Sequence, residues 1–482
     1  MALAGINTWN GGFALWVFVV LCLFSESFCC NRSKVILISF DGFRHDYLDM
    51  AKSEGRNVSA FESLYRRGFR GRVVPIMPTI TFPTHFATAT GRYAENHGIM
   101  ANIFYSPEYN VSFSYRNALD ALDPRWWDYN DNEPIWMTNE RHAKRKSCVY
   151  FWPGSASTYA NKFPSRRQVV YNSSIDFSTR VDKVLQWMQN DDTITLCMLY
   201  MEEPDVSGHR FGPNSQEVLD KVEELNYVVG NLVQKIGLIP RLRDSVNLIL
   251  TSDHGMAEVQ DHNVVPLYNI LDPKSYIANP SRVFFGIWPR HGGPSVMEMK
   301  SKIIKANITG LSVYLKRDLP DRFHYINTPR CPPLILIADQ NYVIRHTPLQ
   351  HYGRGEHGYD NLNTQMHALM IAAGPKVKQL NGVQLIQQVD IYALICGILE
   401  LQTPNKIDGD LMRVAGLIEP PPTSNFINKF MFYSRNALPT DTSARSVTVK
   451  RTLLLVGELV MIVYNMQLYM QCRNALKDGI WM

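Results

Sequence analysis

The stretch Val35–Phe40, VILISF, decides the fold class of this chain. It is a continuous apolar run rich in β-branched residues, without alternation between apolar and polar positions. Such a run predicts a strand that is buried on both faces, as in a parallel sheet. The run ends at Asp41 and Gly42, a pair that is typical of the turn after a strand.

Runs of the same kind predict further strands at Thr193–Met201 (TITLCMLYM), Val246–Leu250 (VNLIL) and Leu334–Ile337. Between them, residues 218–236 carry apolar side chains at helical spacing, with a predicted cap near Asn214 or Ser215. A succession of strands and helices of this kind predicts an α/β sandwich around a mostly parallel sheet.

The composition is that of a globular protein. Of the 482 residues, 45% are hydrophobic and 19% are charged. This length fits one large α/β domain or two smaller domains. The net charge of +5 is not concentrated in a long basic block, so we expect no nucleic-acid partner.

The N-terminus has the features of a secretory signal peptide, which we assign to residues 1–28. Phe13–Phe24 is an apolar run of suitable length, too short to span a membrane comfortably. The segment before it lacks Lys and Arg, so a short N-terminal anchor remains the alternative. Sequons for glycosylation fit an extracytoplasmic surface. They are Asn31, Asn57, Asn110, Asn172 and Asn307.

The composition changes after residue 417. We expect a stalk over residues 418–451, a transmembrane helix over 452–471 and a short cytoplasmic tail over 472–482. Glu458 opposes a span, because a carboxylate near the bilayer centre costs about 2.5–3.5 kcal/mol. An amphipathic terminal helix is the alternative.

The cysteines do not form a dense disulfide framework. Cys197 and Cys396 lie in apolar runs and are predicted to be buried free thiols. A disulfide between Cys148 and Cys331 is possible, but the spacing of the cysteines does not establish it.

Aspartate and histidine residues follow the predicted strands in a metal-binding pattern. They are Asp41, Asp205 and His209 in DVSGH, Asp253 and His254 in SDHG, and His357 in GEHGYDN. Ligands bind at the carboxyl ends of parallel strands, so residues distant in sequence are predicted to meet there. Carboxylate and imidazole ligands together suit zinc. Taken singly, a buried Asp after a strand is often a helix cap, and a lone His is more often a core residue. His45, His85 and His351 stay unassigned.

Met77–His85, MPTITFPTH, is the candidate source of a nucleophile. Pro78 and Pro83 predict a shaped turn, not the middle of a helix or strand. A threonine hydroxyl is a weak nucleophile until a base or a metal activates it. A threonine of this stretch beside two metal ions would form a phosphoryl-transfer site.

Together these motifs resemble the ectonucleotide pyrophosphatase/phosphodiesterase family, within the alkaline phosphatase superfamily. The resemblance runs from about Val35 to Asp410 and rests on SFDGFRHDYL, TFPTHFATATGRYAENHGIMAN, PIWMTN, FWPGS, EEPDVSGHRFGP, TSDHGM and EHGYDN. It implies an alkaline-phosphatase-like α/β/α sandwich, with residues 32–417 as the catalytic domain. The chain resembles the smaller, membrane-anchored members of the family.

The resemblance also implies roles for individual residues. One zinc ion would be held by Asp205, His209 and His357, and a second by Asp41, Asp253, His254 and the Thr81 hydroxyl. Thr81 would be the nucleophile, and Asn102 would donate to a phosphoryl oxygen. Phe82 would flank the base of a nucleotide, with Tyr171 as the opposite wall.

Three positions depart from the family pattern. Ile80 stands where the family often has Lys, Ile103 stands where a second basic residue often follows, and Thr84 replaces an Asn. We expect these losses to weaken discrimination in favour of triphosphates while leaving the metal site intact.

These features predict a zinc-dependent hydrolase at the cell surface, as a type I membrane protein or a secreted form. It would cleave phosphodiester or pyrophosphate bonds of small nucleotides such as NAD, dinucleoside polyphosphates, ATP and ADP, releasing nucleoside 5′-monophosphates. A lipid or choline phosphodiesterase is the first alternative, and Phe82 favours nucleotides over it. A phosphomonoesterase and a catalytically silent adhesion ectodomain are the others.

Overall fold

The computed structural model describes residues 32–436. The predicted signal peptide (1–28), Asn31, the predicted transmembrane helix (452–471) and the tail (472–482) lie outside the described residues. Within the described range, no helix combines the length and apolarity that a membrane crossing requires.

The strands follow one another along the chain as β1 Lys34–Phe40, β2 Phe69–Val74, β3 Ile103–Ser106, β4 Val111–Ser114, β5 Lys146–Tyr150, β6 Arg166–Gln168, β7 Ile194–Met201, β8 Val246–Thr251, β9 Ala257–Glu258, β10 Val264–Pro266, β11 Tyr276–Asn279, β12 Phe284–Pro289, β13 Leu311–Leu315, β14 Leu334–Ala338, β15 Val343–Arg345, β16 Gly355–Glu356, β17 Ala368–Ala373 and β18 Val383–Gln387. Eight of them form the central sheet, in the order β18-β2-β17-β8-β1-β7-β5-β6. Only β17 runs antiparallel to its neighbours, so the prediction of a mostly parallel sheet is confirmed.

The α-helices span Tyr47–Ser53, Ser59–Arg66, Thr81–Thr90, Ala94–His97, Ala118–Leu122, Pro124–Trp127, Ile135–Arg141, Phe177–Asn190, Asp205–Phe211, Gln216–Leu238, Pro240–Arg243, Val296–Lys305, Asp390–Leu399, Leu411–Val414 and Ser424–Arg435. The predicted long helix is Gln216–Leu238, and the Ser215 side chain caps it by accepting from the Val218 N–H.

Strand β1 shows how the two faces of the sheet are covered. Val35 and Leu37 belong to one hydrophobic core, whereas Ile36 and Ile38 belong to a second core on the opposite face. Successive side chains of a strand point to opposite faces, so an unbroken apolar strand needs cover on both. Residues of Asp390–Leu399 pack in the first core and residues of Gln216–Leu238 in the second. The architecture is the expected α/β/α sandwich.

The fourth predicted strand has a different place from the other three. Leu334–Ala338 (β14) pairs antiparallel with β12 and β13 in a separate four-stranded sheet. All five of its residues are buried, so its apolar run looks like that of a central parallel strand. An unbroken apolar run indicates that a strand is buried on both faces, but it does not indicate the direction of the strand. For this reason, the prediction that Leu334–Ile337 belongs to the parallel sheet was wrong.

The prediction for Cys197 was also wrong. Cys197 on β7 stands directly opposite Cys148 on β5, and the two form a disulfide with Cα atoms 4.5 Å apart. Cys331 is a buried free cysteine, so the pairing left open with Cys148 is not formed. Cys396 is a buried free thiol, as expected. An apolar context shows that a cysteine is buried but does not show which residue its neighbouring strand places beside it.

The described chain ends in a helix, Ser424–Arg435, within the range where we expected a stalk. This helix buries Phe426 and Phe430 in the core that covers one face of the central sheet. The main-chain N–H of Ile407 donates to the carbonyl of Ser434, which ties the helix to an earlier loop. This helix is therefore packed on the folded domain.

Truncation of Phe430 tests whether the helix contributes to the stability of the domain. Phe430 is fully buried, so Phe430→Ala should lower the free energy of unfolding by about 3–5 kcal/mol, through lost burial and the cavity left behind. The matched control is Phe432→Ala, on the same helix, because Phe432 is 62% exposed. Chemical denaturation of the two variants should separate them clearly; equal midpoints would contradict a packed helix.

Candidate active site

Three neighbouring strands of the central sheet place their carboxyl ends at one edge. β7, β1 and β8 are adjacent, and Asp205, Asp41 and Asp253 follow them in the same order. The main-chain N–H of Asp205 donates to the carbonyl of Asp41, at 2.9 Å, and so fixes the two turns against each other. The predicted convergence of distant residues at the strand ends is present.

One group of ligand atoms comes from Asp41, Asp253 and His254. The Nε2 atom of His254 lies 3.6 Å from Asp41 Oδ1 and 3.0 Å from Asp253 Oδ2. These three side chains are buried, and their ligand atoms all lie within 4.8 Å of one another. This spacing would allow all three to contact one metal ion.

A second group of ligand atoms comes from Asp205, His254 and His357, also within 4.8 Å of one another. The rings of His254 and His357 stack with centroids 3.7 Å apart, so His254 lies close to both groups. His209 Nε2 approaches Asp205 Oδ2 at 3.4 Å, one helical turn along Asp205–Phe211. The four-residue spacing therefore places Asp205 and His209 on one helix face, as predicted.

Hydrogen bonds to main-chain carbonyls orient the three imidazole rings. The Nδ1 atoms of His209, His254 and His357 bond to the carbonyls of Gly355 (2.8 Å), Gly255 (2.9 Å) and Thr79 (2.8 Å). A carbonyl can only accept, so the proton is on Nδ1 and the lone pair is on Nε2. This is the arrangement that a histidine ligand of a metal adopts.

Three buried carboxylate oxygens at this edge have no hydrogen-bond partner among the described residues. They are Asp41 Oδ1, Asp205 Oδ1 and Asp253 Oδ2. Leaving buried carboxylate oxygens unpaired is costly, and paired or metal-coordinated carboxylates are the usual outcome in proteins. The donor set thus fits one or more bound cations.

The pKa values of these groups reflect the crowding of charge at a buried edge. Burial, with the charges of Asp253 and Asp205, raises the pKa of Asp41 well above its usual range. Burial also raises the pKa of Asp205. For Asp253, burial acts in the same direction, but His254 and His85 outweigh it and hold the pKa well below the usual range. Burial, and then the neighbouring His254, lower the pKa of His357, which favours its neutral form.

Thr81 is the first residue of the helix Thr81–Thr90, and its Oγ1 lies 3.4 Å from His254 Nε2. The expectation that Met77–His85 is a turn throughout was wrong, because the helix begins at its centre. Pro83 lies in the first turn of this helix, where the missing N–H has no intrahelical partner to lose. The nucleophile candidate therefore lies at the positive end of a helix dipole, beside the ligand cluster.

Asn102 is oriented by the same helix. Its Oδ1 accepts from the main-chain N–H of Phe82 at 2.9 Å, which identifies the other side-chain atom as the Nδ2 donor. None of the described residues accepts a hydrogen bond from this Nδ2 group. The Nδ2 group of Asn102 is thus an available donor, and the residue that orients it, Phe82, directly follows Thr81 in the sequence.

Phe82 and Tyr171 lie in different aromatic clusters. Phe82 contacts Tyr115, with ring centroids 5.5 Å apart, and also packs near Trp127. Tyr171 is half-exposed and packs against Phe151 and Tyr200. Among the described ring contacts, none joins Phe82 directly to Tyr171.

Sequence reasoning missed two residues that position the candidate metal ligands. Tyr200 donates from its hydroxyl to Asp41 Oδ2 at 2.6 Å. His85 bonds through Nδ1 to the carbonyl of Thr81 and through Nε2 to Ser39 Oγ, both at 2.8 Å, and its Nδ1 lies 3.3 Å from Asp253 Oδ2. His85 could have been found from the sequence, because it follows Thr81 by four residues and this spacing places the two side chains on one face of a helix.

Comparison with known proteins identifies related chains. A family model described as "Type I phosphodiesterase / nucleotide pyrophosphatase" matches residues 35–360. The bis(5′-adenosyl)-triphosphatase enpp4 of Mus musculus is 34% identical over 80% of this chain and 82% of its own length. The human ectonucleotide pyrophosphatase/phosphodiesterase family member 5 is 33% identical over 77% of this chain and 75% of its own.

Solved structures agree with these sequence matches. The murine ectonucleotide pyrophosphatase/phosphodiesterase 5 superposes with a TM-score of 0.74 at 33% identity, covering 80% of this chain and all of that one. An inactive threonine-to-alanine variant of the same murine protein, in complex with AMP, gives a TM-score of 0.75 at 32% identity over the same shares of the two chains.

Removal of the Tyr200 hydroxyl tests the positioning of Asp41. Tyr200→Phe should weaken metal binding by about 10–100-fold, because the hydrogen bond that orients the candidate ligand Asp41 is lost. Competition between the protein and a chelating dye for zinc measures the change. The control is Tyr105→Phe, whose hydroxyl donates to the exposed Asn110. If both variants bound zinc like the wild type, Tyr200 would have no role in orienting Asp41.

Proposed function

The chain belongs to the type I phosphodiesterase/nucleotide pyrophosphatase family and is a hydrolase of that class, and from this premise we propose a specific chemistry for it. It cleaves phosphodiester or pyrophosphate bonds of small nucleotides by attack of Thr81, with two zinc ions in the ligand cluster. The observation that carries the proposal is the Thr81 hydroxyl, 3.4 Å from His254 Nε2, because His254 belongs to both groups of possible ligands and these include three unpaired carboxylate oxygens.

The ligand cluster supports two zinc positions. Asp205, His209 and His357 would hold one ion, and Asp41, Asp253, His254 and the Thr81 hydroxyl the other. Bound zinc would lower the pKa of the hydroxyl and neutralise charge on the phosphoryl and leaving oxygens. Imidazole nitrogens oriented by carbonyl groups and unpaired carboxylate oxygens are the ligand types that zinc prefers.

Thr81 performs the first step. Its Oγ releases its proton to solvent, attacks the phosphorus and forms a new oxygen–phosphorus bond, while the bond from phosphorus to the leaving oxygen breaks and its electron pair stays on the leaving group. The product of this step is a nucleotidyl ester of Thr81. A water molecule then attacks the same phosphorus, the bond to Thr81 Oγ breaks, and the threonine recovers its proton as the nucleoside 5′-monophosphate leaves.

Asn102 and the helix N-terminus stabilise the negative charge that develops on the phosphoryl group. The Nδ2 donor of Asn102 is fixed by the bond between its Oδ1 and Phe82 N–H, so little reorganisation is needed when substrate binds. Removing one preorganised donor of this kind typically costs about 2.7–4 kcal/mol in the transition state.

The aromatic surface around Phe82 supports a nucleotide as the substrate. A base that stacks on an aromatic ring gains about 1–3 kcal/mol with little dependence on base identity. NAD, dinucleoside polyphosphates, ATP and ADP are the candidates. The name of the enpp4 relative and the AMP bound to the murine relative agree with this substrate class.

The location we propose is outside the cell. Of the predicted glycosylation sites, Asn57, Asn110, Asn172 and Asn307 fall in the described residues, and each is exposed. Exposed sequons together with a disulfide support an extracytoplasmic domain. Membrane attachment through residues 452–471 stays a prediction.

Replacement of Thr81 tests the nucleophile. Thr81→Ala should reduce turnover at least about a hundredfold while zinc stays bound, because only one ligand is removed. Thr81→Ser keeps a hydroxyl and should retain part of the activity. After acid quenching, mass spectrometry should find a nucleotidyl group on Thr81 of the wild type. A Thr81→Ala enzyme with more than a tenth of the wild-type rate would refute the assignment.

Metal analysis tests the two zinc positions. The wild type should carry two zinc ions per chain by elemental analysis, and His209→Ala should carry one fewer. Chelation should abolish activity and added zinc should restore it. A single metal per wild-type chain, or calcium alone, would overturn the two-metal proposal.

A substrate panel tests the nucleotide preference. Purified protein should hydrolyse p-nitrophenyl thymidine monophosphate with a higher kcat/KM than p-nitrophenyl phosphate or p-nitrophenyl phosphocholine. Phe82→Ala should raise KM for the nucleotide ester by about tenfold, through lost stacking, and change KM for the phosphocholine ester far less. The exposed Phe432→Ala is the matched control. A higher kcat/KM for the phosphocholine ester, with no effect of Phe82→Ala, would instead favour the lipid phosphodiesterase.

A further inference from the structure

A basic cleft adjoins the metal-ligand cluster. It has a volume of about 590 Å³, and the metal-ligand candidate His209 forms part of its wall. Arg210, Arg345 and Arg354 also line this cleft, and we call these three residues the arginine cleft. Its location beside His209 connects it to the site of phosphoryl transfer.

The main chain fixes two of these arginines relative to His209. Arg210 is the next residue of the helix Asp205–Phe211. The N–H of Arg354 donates to the carbonyl of His209 at 2.8 Å, while Gly355 accepts from His209 Nδ1 at 2.8 Å. The segment that carries Arg354 therefore also orients the imidazole, so the cleft and the ligand cluster are parts of one framework.

The third arginine reaches the cleft from strand β15. A terminal amino group of Arg345 donates to the carbonyl of Pro348, and its guanidinium lies over the ring of Tyr268, 5.8 Å from the centroid. Its Nε is buried and has no hydrogen-bond partner among the described residues.

The arginine cleft carries positive charge without a matching carboxylate. Within residues 32–436, no ion pair neutralises Arg210, Arg345 or Arg354, whereas nearby Arg282 pairs with Glu356. The cleft is also lined by His351 and by one carboxylate, Asp261. Three guanidinium groups against one carboxylate leave a surplus of positive charge, and arginine is the side chain best suited to bind phosphate.

The geometry of phosphoryl transfer assigns this cleft to the leaving group. In an in-line displacement, the attacking and leaving oxygens lie on opposite sides of the phosphorus, and two metal positions serve the two oxygens. Thr81 lies beside His254, within the group that includes Asp41 and Asp253. The leaving oxygen would then lie toward Asp205 and His357 in the other group. His209, which lies 3.4 Å from Asp205, also forms part of the wall of the arginine cleft.

We propose that the arginine cleft is a subsite for a leaving group that carries further phosphates, such as pyrophosphate or a nucleoside diphosphate. The proposal rests on the function proposed above and adds a preference to it. The sequence has no basic residue at Ile80 or Ile103, and from this we expected weaker discrimination in favour of triphosphates. The arginine cleft supplies that positive charge from three other segments of the chain, so selection for polyphosphates is restored.

Two substrates with different leaving groups separate this subsite from the rest of the site. Bis(5′-adenosyl) triphosphate releases ADP, whereas p-nitrophenyl thymidine monophosphate releases a phenol without phosphate. We expect Arg354→Gln and Arg210→Gln each to lower the ratio of kcat/KM for the first substrate to that for the second, and the double variant to lower it by about tenfold or more. Both substitutions change side chains that are exposed, so folding should be preserved.

The matched control is Arg317→Gln, because Arg317 has a side chain that is 79% exposed and does not line the cleft. The ratio of the two kcat/KM values should be the same for Arg317→Gln as for the wild type. The inhibition constant of ADP should rise in the double variant and stay constant in the control. Unchanged ratios and unchanged inhibition by ADP in the double variant, with a wild type that hydrolyses both substrates, would overturn the subsite alone. A wild type that hydrolyses neither substrate would overturn the proposed function and the subsite with it.

Discussion

Repulsion among three buried carboxylates is the constraint around which this end of the molecule is built. Asp41, Asp205 and Asp253 lie at the ends of adjacent strands and leave three oxygens without a hydrogen bond among the described residues. Like charges that share a buried site cannot all remain ionised unless cations are present. The raised pKa of Asp41 expresses its burial together with this repulsion. Metal binding would relieve the repulsion and so stabilise the folded chain.

The turns that hold these carboxylates depend on close main-chain approach. Gly42 has φ +66°, and a Cβ atom at this position would lie 2.8 Å from Asp205 Cα. Gly355 is equally restricted, because an added Cβ would lie 2.5 Å from the carbonyl oxygen of Gly208. The first contact sets the distance between two carboxylates, and the second sets the loop whose carbonyl orients His209. Glycine at these positions is therefore part of the site, although it contributes no ligand atom.

The sequence was sufficient to predict those features of the fold and the site that produce a continuous local pattern of residues. Strands β1, β7 and β8 are unbroken apolar runs, so their ends and the residues just beyond them could be predicted. Strand β2 alternates between buried and half-buried residues and contains a glycine, so it lacks such a run.

Other features depend on residues that are neighbours in space but distant in sequence. Tyr200 reaches Asp41 because it stands opposite Ser39 in the register of β1 and β7, and Cys197 meets Cys148 in the register of β5 and β7. Pairing of strands cannot be deduced from the composition of either strand alone.

The two surfaces proposed to bind the halves of a nucleotide substrate differ chemically. On one side, stacking near Phe82 is tolerant of base identity, because every base presents an aromatic face. On the other side, the charges of Arg210, Arg345 and Arg354 respond to the number of phosphates and not to the group beyond them. Discrimination among substrates would then be set mainly by the charge of the leaving group. This division would explain how Ile80 and Ile103 can be apolar in an enzyme that selects polyphosphates, because the proposed subsite supplies positive charge on the leaving side of the phosphorus, where negative charge develops as the bond breaks.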